Sequence, residues 1–224
     1  MVWLMLLFWE RMGCANRSPL LPVWRNGREI SNTMKPVALK DRRLTATLVQ
    51  RWANQYCRLY DNSHYFPWIT SARQGNRHAL ERITEWKNVG FGACPRPMRL
   101  SANKQTSLRR LFHGLPRYLS SGGRAALESD FMRHAPVYSI FWSHVLYDSP
   151  IFDAYTRVAF EYFCAGKRFS KTAARIAAPH HWALYSPYEK WFSLELRRLR
   201  ATAPKIDGRM FDQALFEWGK YYCS

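Results

Sequence analysis

Acidic residues are scarce in this chain: sixteen Asp and Glu stand against thirty-four Lys and Arg, a formal charge of +18 over 224 residues. An excess of that size repels cationic partners and draws the chain toward phosphate backbones and anionic surfaces. Cysteine is also sparse. Cys14, Cys57, Cys94, Cys164 and Cys223 are odd in number, far apart and free of any C-x-x-C pair, which suggests neither a disulfide framework nor a zinc knuckle. They read as reduced, mostly buried thiols of a cytoplasmic protein. The seven histidines contain one adjacent pair, His180 and His181, and no H-x-x-x-H or H-E-x-x-H spacing, so no metal site and no cofactor is implied. No stretch reaches eighteen apolar residues, and "MVWLMLLFW" lacks both a positive leader and a small-residue cleavage site. It reads as neither a membrane span nor a signal peptide.

What the chain does have is apolar mass. Its 47% hydrophobic content includes ten Trp, twelve Tyr and thirteen Phe, too much aromatic surface for a chain that stays unfolded. The length suits one domain. Residues 1–33 hold turn formers without a sustained period, whereas helical periodicity begins after Met34. We therefore expect an N-terminal extension over 1–33, Met34 as a natural start, and one domain over 34–224. The four Arg and two Glu of 1–33 account for only +2 of the +18, which leaves +16 on the domain.

Apolar residues at helical spacing, punctuated by Gly, Pro and Ser, predict an all-α fold. Helices are expected at 41–59 (stripe Leu44, Leu48, Trp52, Tyr56), 76–88 (Leu80, Ile83, Trp86), 106–120, 123–134 and 137–147, with a Gly- and Pro-rich loop over 90–104. Ser149 then reads as an N-cap with Pro150 at the first helical position, followed by Ile151, Tyr155, Val158, Ala159 and Tyr162 on a buried face. Ser186 and Pro187 repeat that grammar before Tyr188, Phe192, Leu196 and Leu199. A last helix carries Phe211, Ala214, Leu215, Trp218 and Tyr222. No alternating strand and no internal repeat is visible.

Within "DSPIFDAYTRVAF", Asp153 and Arg157 stand at i and i+4, on the side opposite the apolar stripe. Two readings stay open. Asp153 complements a helix dipole and pairs with Arg157, or it supplies a negative charge to a bound partner.

The stretch "SPIFDAYTRVAFEYF" resembles the "P-I-F-D-x-x-x-x-R-A" segment of a widespread bacterial family of mostly uncharacterised proteins. "ITEWKN" (83–88), "YSPYEKWF" (185–192) and "FDQALFEWGKYY" (211–222) agree with it in order and separation, and the resemblance covers roughly residues 40–224. That family in turn resembles the helical fold of the helix-hairpin-helix DNA glycosylases, in which the Asp of a "V-D-x-H-V-x-R" segment begins a helix and helps expel a damaged base. The resemblance places Asp153 in the catalytic position, where a carboxylate stabilises a cationic sugar or activates water. The glycosylase His position is Tyr155 here and the Arg position is Val158. The L-P-G-V-G hairpin is absent, as is a Lys near 130–140 for a Schiff base, so a lyase activity is disfavoured.

Basic clusters supply the candidate nucleic-acid contacts. They are "KDRR" at 40–43, Arg109, Arg110 and Arg117 on one helix, Lys167, Arg168 and Lys171 in "GKRFSK", and "RRLR" at 197–200. Arg157 joins them, as does Lys87, which could bring a cation to a phosphate beside Trp86; Trp86 itself reads as core. The expected partner is DNA, without strong sequence preference, and no membrane, metal or cofactor; nothing bears on oligomeric state. The function expected is DNA binding with base excision as its sharper version. Against it stands a non-catalytic nucleic-acid or protein interaction module in which Asp153 only caps and pairs.

Overall fold

In a computed structural model the first long helix pairs with the last, and that pairing organises one half of the molecule. The structure describes residues 24–25, 28–29, 43–59, 63–89, 100–132, 135–167 and 182–223. The expected extension over 1–33, most of the expected 90–104 loop, Cys14, Cys94, Arg168, Lys171 and the His180–His181 pair lie largely or wholly outside those residues. Contacts divide the chain into two units, 1–39 and 40–224. In the first, Trp24–Arg25 pairs antiparallel with Arg28–Glu29. The second is all-α, as the periodicity predicts. Its described helices are α1 (Ala46–Leu59), α2 (Tyr65–Arg73), α3 (Arg77–Val89), α4 (Ala102–Tyr118), α5 (Gly123–Met132), α6 (Pro136–Tyr147), α7 (Ala154–Ala165), α8 (Trp182–Thr202) and α9 (Gly208–Tyr222). Among the described residues no helix is long and apolar enough to cross a membrane.

In α1, Val49, Trp52, Ala53 and Tyr56 recur at i, i+3, i+4 and i+7 and are all buried. They meet α9, where the Trp52 ring stands 5.3 Å from Tyr221 and Tyr56 stands 5.8 Å from Phe216. The other side of α9 takes α7, with Tyr162 and Phe163 against Trp218 at 4.8 and 4.7 Å. That approach requires Gly219, because a Cβ there would fall 2.1 Å from the Tyr155 carbonyl oxygen. α8 closes this layer through Phe192 on Phe211 and Tyr188 on Phe152, each at 4.7 Å.

A second core runs from α2 to α6 and includes Tyr65, Ile69, Leu80, Ile83, Leu111, Leu127, Phe131 and Trp142, with Trp86 packed on its margin. α6 is its centre: every residue from Tyr138 to Leu146 is buried, as a helix apolar on nearly all sides must be. Arg73 closes its C-terminal end, where Nε donates to the Val145 carbonyl at 2.8 Å and Nη2 meets Asp148 Oδ1 at 2.9 Å. Between the layers, the Arg124 guanidinium holds both Glu189 oxygens at 2.7 Å.

Several expectations need correction. α1 begins at 46, not 41, and α4 begins at 102, four residues earlier than expected and inside the predicted loop. α2 was not foreseen; Pro67 interrupts its pattern, yet Tyr65, Ile69 and Ala72 form a buried i, i+4, i+7 face. Pro187 lies inside α8, which starts at Trp182, so Ser186 is no cap. Ser149 is no cap either, since 149–153 is non-helical. Cys57 and Cys164 are exposed, and only Cys223 of the described thiols is buried.

Candidate functional site

Asp153 is the N-cap of α7. Its φ of −117° and ψ of −172° are extended, and its Oδ1 accepts the backbone N–H groups of Tyr155 and Thr156 at 2.9 and 2.8 Å. The buried Thr156 answers with Oγ1, which accepts the Asp153 N–H at 2.7 Å. This reciprocal box satisfies otherwise orphaned donors of the first turn. The helix therefore starts at Asp153 and not at the Ser149–Pro150 pair that local chemistry favours, and neither of those residues belongs to α7. The intervening chain stays non-helical through Phe152, whose ring is buried against Tyr188 and Phe160.

Arg157 is engaged by Glu161, one turn further on, at 2.8 Å, and Lys167 reaches the other oxygen of the same carboxylate at 3.2 Å. Burial alone would raise the Glu161 pKa; the two cations outweigh it and hold the group below the usual range. Of the other candidates, Arg109 and Arg110 are exposed on α4. Lys87 lies in α3, but its side chain is outside the described residues, as are Arg168 and Lys171. Arg110, His113, Gly114, Arg117, Tyr118 and Asp130 line a surface groove of about 330 Å³. Arg117 and the Tyr118 hydroxyl both bind the Asp130 carboxylate there.

The sequence reading missed a polar centre where the two helical layers meet. Asp212, in the first turns of α9, is buried; its Oδ2 accepts the Ile151 N–H at 2.9 Å and its Oδ1 faces the Tyr188 hydroxyl at 3.4 Å. Burial pushes its pKa up to about 7, against the Ile151 N–H and Arg209, which lower it; the negative charge of Asp153 adds to the rise. His144 of α6 is buried too. Burial first, then Arg209, lowers its pKa to about 3, so it is a neutral imidazole. Its Nδ1 stands 2.8 Å from the Ser149 carbonyl oxygen, which places the proton on Nδ1 and leaves Nε2 an acceptor.

Arg209 completes the centre. Its guanidinium carbon stands 4.9 Å from the Tyr65 ring centroid, 5.7 Å from Phe66 and 5.8 Å from Tyr56, an aromatic cage of the kind that favours a cation. Arg209 Nε and Nη2, the Tyr65 hydroxyl and His144 Nε2 are buried and find no hydrogen-bond partner among the described residues. One signal for Asp212 was present in the sequence: it shares the stripe of Leu215 and Gly219, at i+3 and i+7, so a carboxylate sits on an apolar face. No protein-family model, curated protein or solved structure matches this chain.

Proposed function

We propose that residues 40–224 bind DNA through their positive surface. The observation that supports this most is the charge itself: acids are outnumbered by thirty-four to sixteen, and Glu85, Glu128, Asp130, Asp148, Glu161, Glu189 and Glu195 each hold a neighbouring cation. Arg109 and Arg110 meanwhile stand exposed on α4. Phosphate contacts of this type carry no sequence information and weaken steeply with salt. Duplex DNA titrated at several salt concentrations should bind at low salt, and exchanging both Arg109 and Arg110 for Gln should flatten the log–log salt slope by up to about 2. No binding at low salt would remove the proposal.

A sharper reading is release of a damaged base, with Asp153 as the carboxylate that steadies a cationic sugar. It is supported by a second carboxyl, Asp212, near enough to feel the charge of Asp153 and with a pKa that burial pushes up to about 7, since one of two neighbouring acids that keeps its proton can serve as an acid. The resemblance to helix-hairpin-helix glycosylases belongs to this reading. Base release from duplexes carrying alkylated, oxidised or deaminated bases tests it, wild type against Asp153→Asn. Absence of release by the wild type from all of them leaves a binding module in which Asp153 is a cap.

A further inference from the structure

The buried groups around Arg209 make a specific set. Nε and Nη2 form one edge of the guanidinium, whose two parallel N–H bonds fork onto paired oxygens of a carboxylate or phosphate. Among the described residues neither nitrogen has a hydrogen-bond partner, and the same holds for the Tyr65 hydroxyl, 1% exposed, and His144 Nε2 on a residue 4% exposed. The Tyr65 and His144 rings lie nearly parallel, 6.2 Å apart, and the Tyr65 ring lies against the Arg209 cation. The neighbourhood thus offers three donor positions and one acceptor. Phe66, also against Arg209, is 48% exposed and presents an aromatic ring to solvent beside this set.

We propose that Arg209, Tyr65 and His144 form a site for a terminal phosphate monoester of a nucleic-acid strand, with Phe66 stacking on the adjoining base. The proposal rests on the DNA-binding reading and deepens it. A singly protonated monoester offers acceptor oxygens to Arg209 and Tyr65 and one P–OH to His144 Nε2. An internal phosphodiester has no such proton to give. A carboxylate or sulfate fills the fork but leaves His144 without a donor. Asp212 adds little repulsion while it keeps its proton, which its raised pKa allows up to about 7. Stacking on an exposed ring is tolerant of base identity, which suits a site that reads an end and not a sequence.

The test compares short single-stranded oligonucleotides bearing a 5′-phosphate, a 3′-phosphate or neither, by fluorescence anisotropy on the full chain near pH 6.5. One phosphorylated strand should bind at least tenfold tighter than the unphosphorylated one. Tyr65→Phe, which keeps the ring, and Arg209→Gln should both erase that preference while leaving the salt-dependent affinity for the unphosphorylated strand. Phe66→Leu should weaken a mononucleotide and leave inorganic phosphate unchanged. Equal wild-type affinity for all three strands overturns the site and leaves the DNA-binding reading standing. If no strand binds, that reading fails and calorimetry with a mononucleotide decides the site: heat lost in Tyr65→Phe sustains a phosphate monoester site, and no heat from the wild type overturns it.

Discussion

Asp212→Asn should remove a loss of stability that accompanies rising pH. The unfolded carboxyl ionises near its ordinary 3.8 and the folded one near 7, so between those values the native state holds a proton that the unfolded state has released. Stability from this group is therefore greatest below pH 4, falls as pH rises and levels off above about pH 7. A shift of about three units at about 1.36 kcal/mol each makes the whole loss about 4 kcal/mol, of which about 3 kcal/mol falls between pH 4.5 and 8. Asn keeps an oxygen for the Ile151 N–H and offers its amide to the Tyr188 oxygen, so little packing changes. His144 acts oppositely over an overlapping window. Its folded pKa is depressed from 6.5 to about 3, so its contribution is present above pH 6.5 and is lost as pH falls toward 3. Comparing Asp212→Asn with wild type at each pH cancels that contribution. Urea unfolding followed by tryptophan fluorescence, repeated from pH 4.5 to 8, should show the variant gaining about 3 kcal/mol on the wild type as pH rises. A difference that stays flat, or that shrinks with rising pH, would refute the buried, proton-holding carboxyl.

Two further substitutions probe the start of α7 and its seat. Asp153→Ala removes the cap and should cost about 1 kcal/mol, whereas Asp153→Asn, an equally good cap, should cost only a few tenths; thermal or urea unfolding separates them, and equal losses would argue against capping. Gly219→Ala would place a Cβ 2.1 Å from the Tyr155 carbonyl oxygen, and because backbone yields poorly the loss should be about 3 kcal/mol or more. A melting curve like that of the wild type would show that α7 and α9 separate easily.

The helical class was legible because apolar stripes at helical spacing leave few alternatives. Trp52 and Tyr56 in α1, and Phe211, Leu215 and Trp218 in α9, stand at a spacing that identifies a buried face, although in α1 the buried residue one turn before Trp52 is Val49 and the expected Leu48 is only half-buried. Helix boundaries were less so. Ser149–Pro150 has the local chemistry of a helix start, yet the Ile151 N–H is held by Asp212, 61 positions away, and burial of Phe152 keeps the segment out of the helix. Only tertiary partners decide between Ser149 and Asp153 as cap. The polar centre was illegible for a related reason: Tyr65, His144, Arg209 and Asp212 come from three helices, and no spacing joins them. Asp153 was singled out from its motif, but its capping box depends on Thr156, an ordinary residue in sequence and a buried one in the fold.

The pairing of α1 with α9 has a consequence for biosynthesis. α2 to α6 are neighbours in sequence and can close their shared core as they leave the ribosome, whereas the apolar face of α1 has to wait for α9. The Cys57 thiol meets Gln213, 156 positions later, and at about 5–20 residues per second that interval lasts roughly ten to thirty seconds. For that time Trp52 and Tyr56 are without the helix that covers them, so the nascent chain is most open to chaperone capture, and to aggregation, at the segment made before the core that folds first.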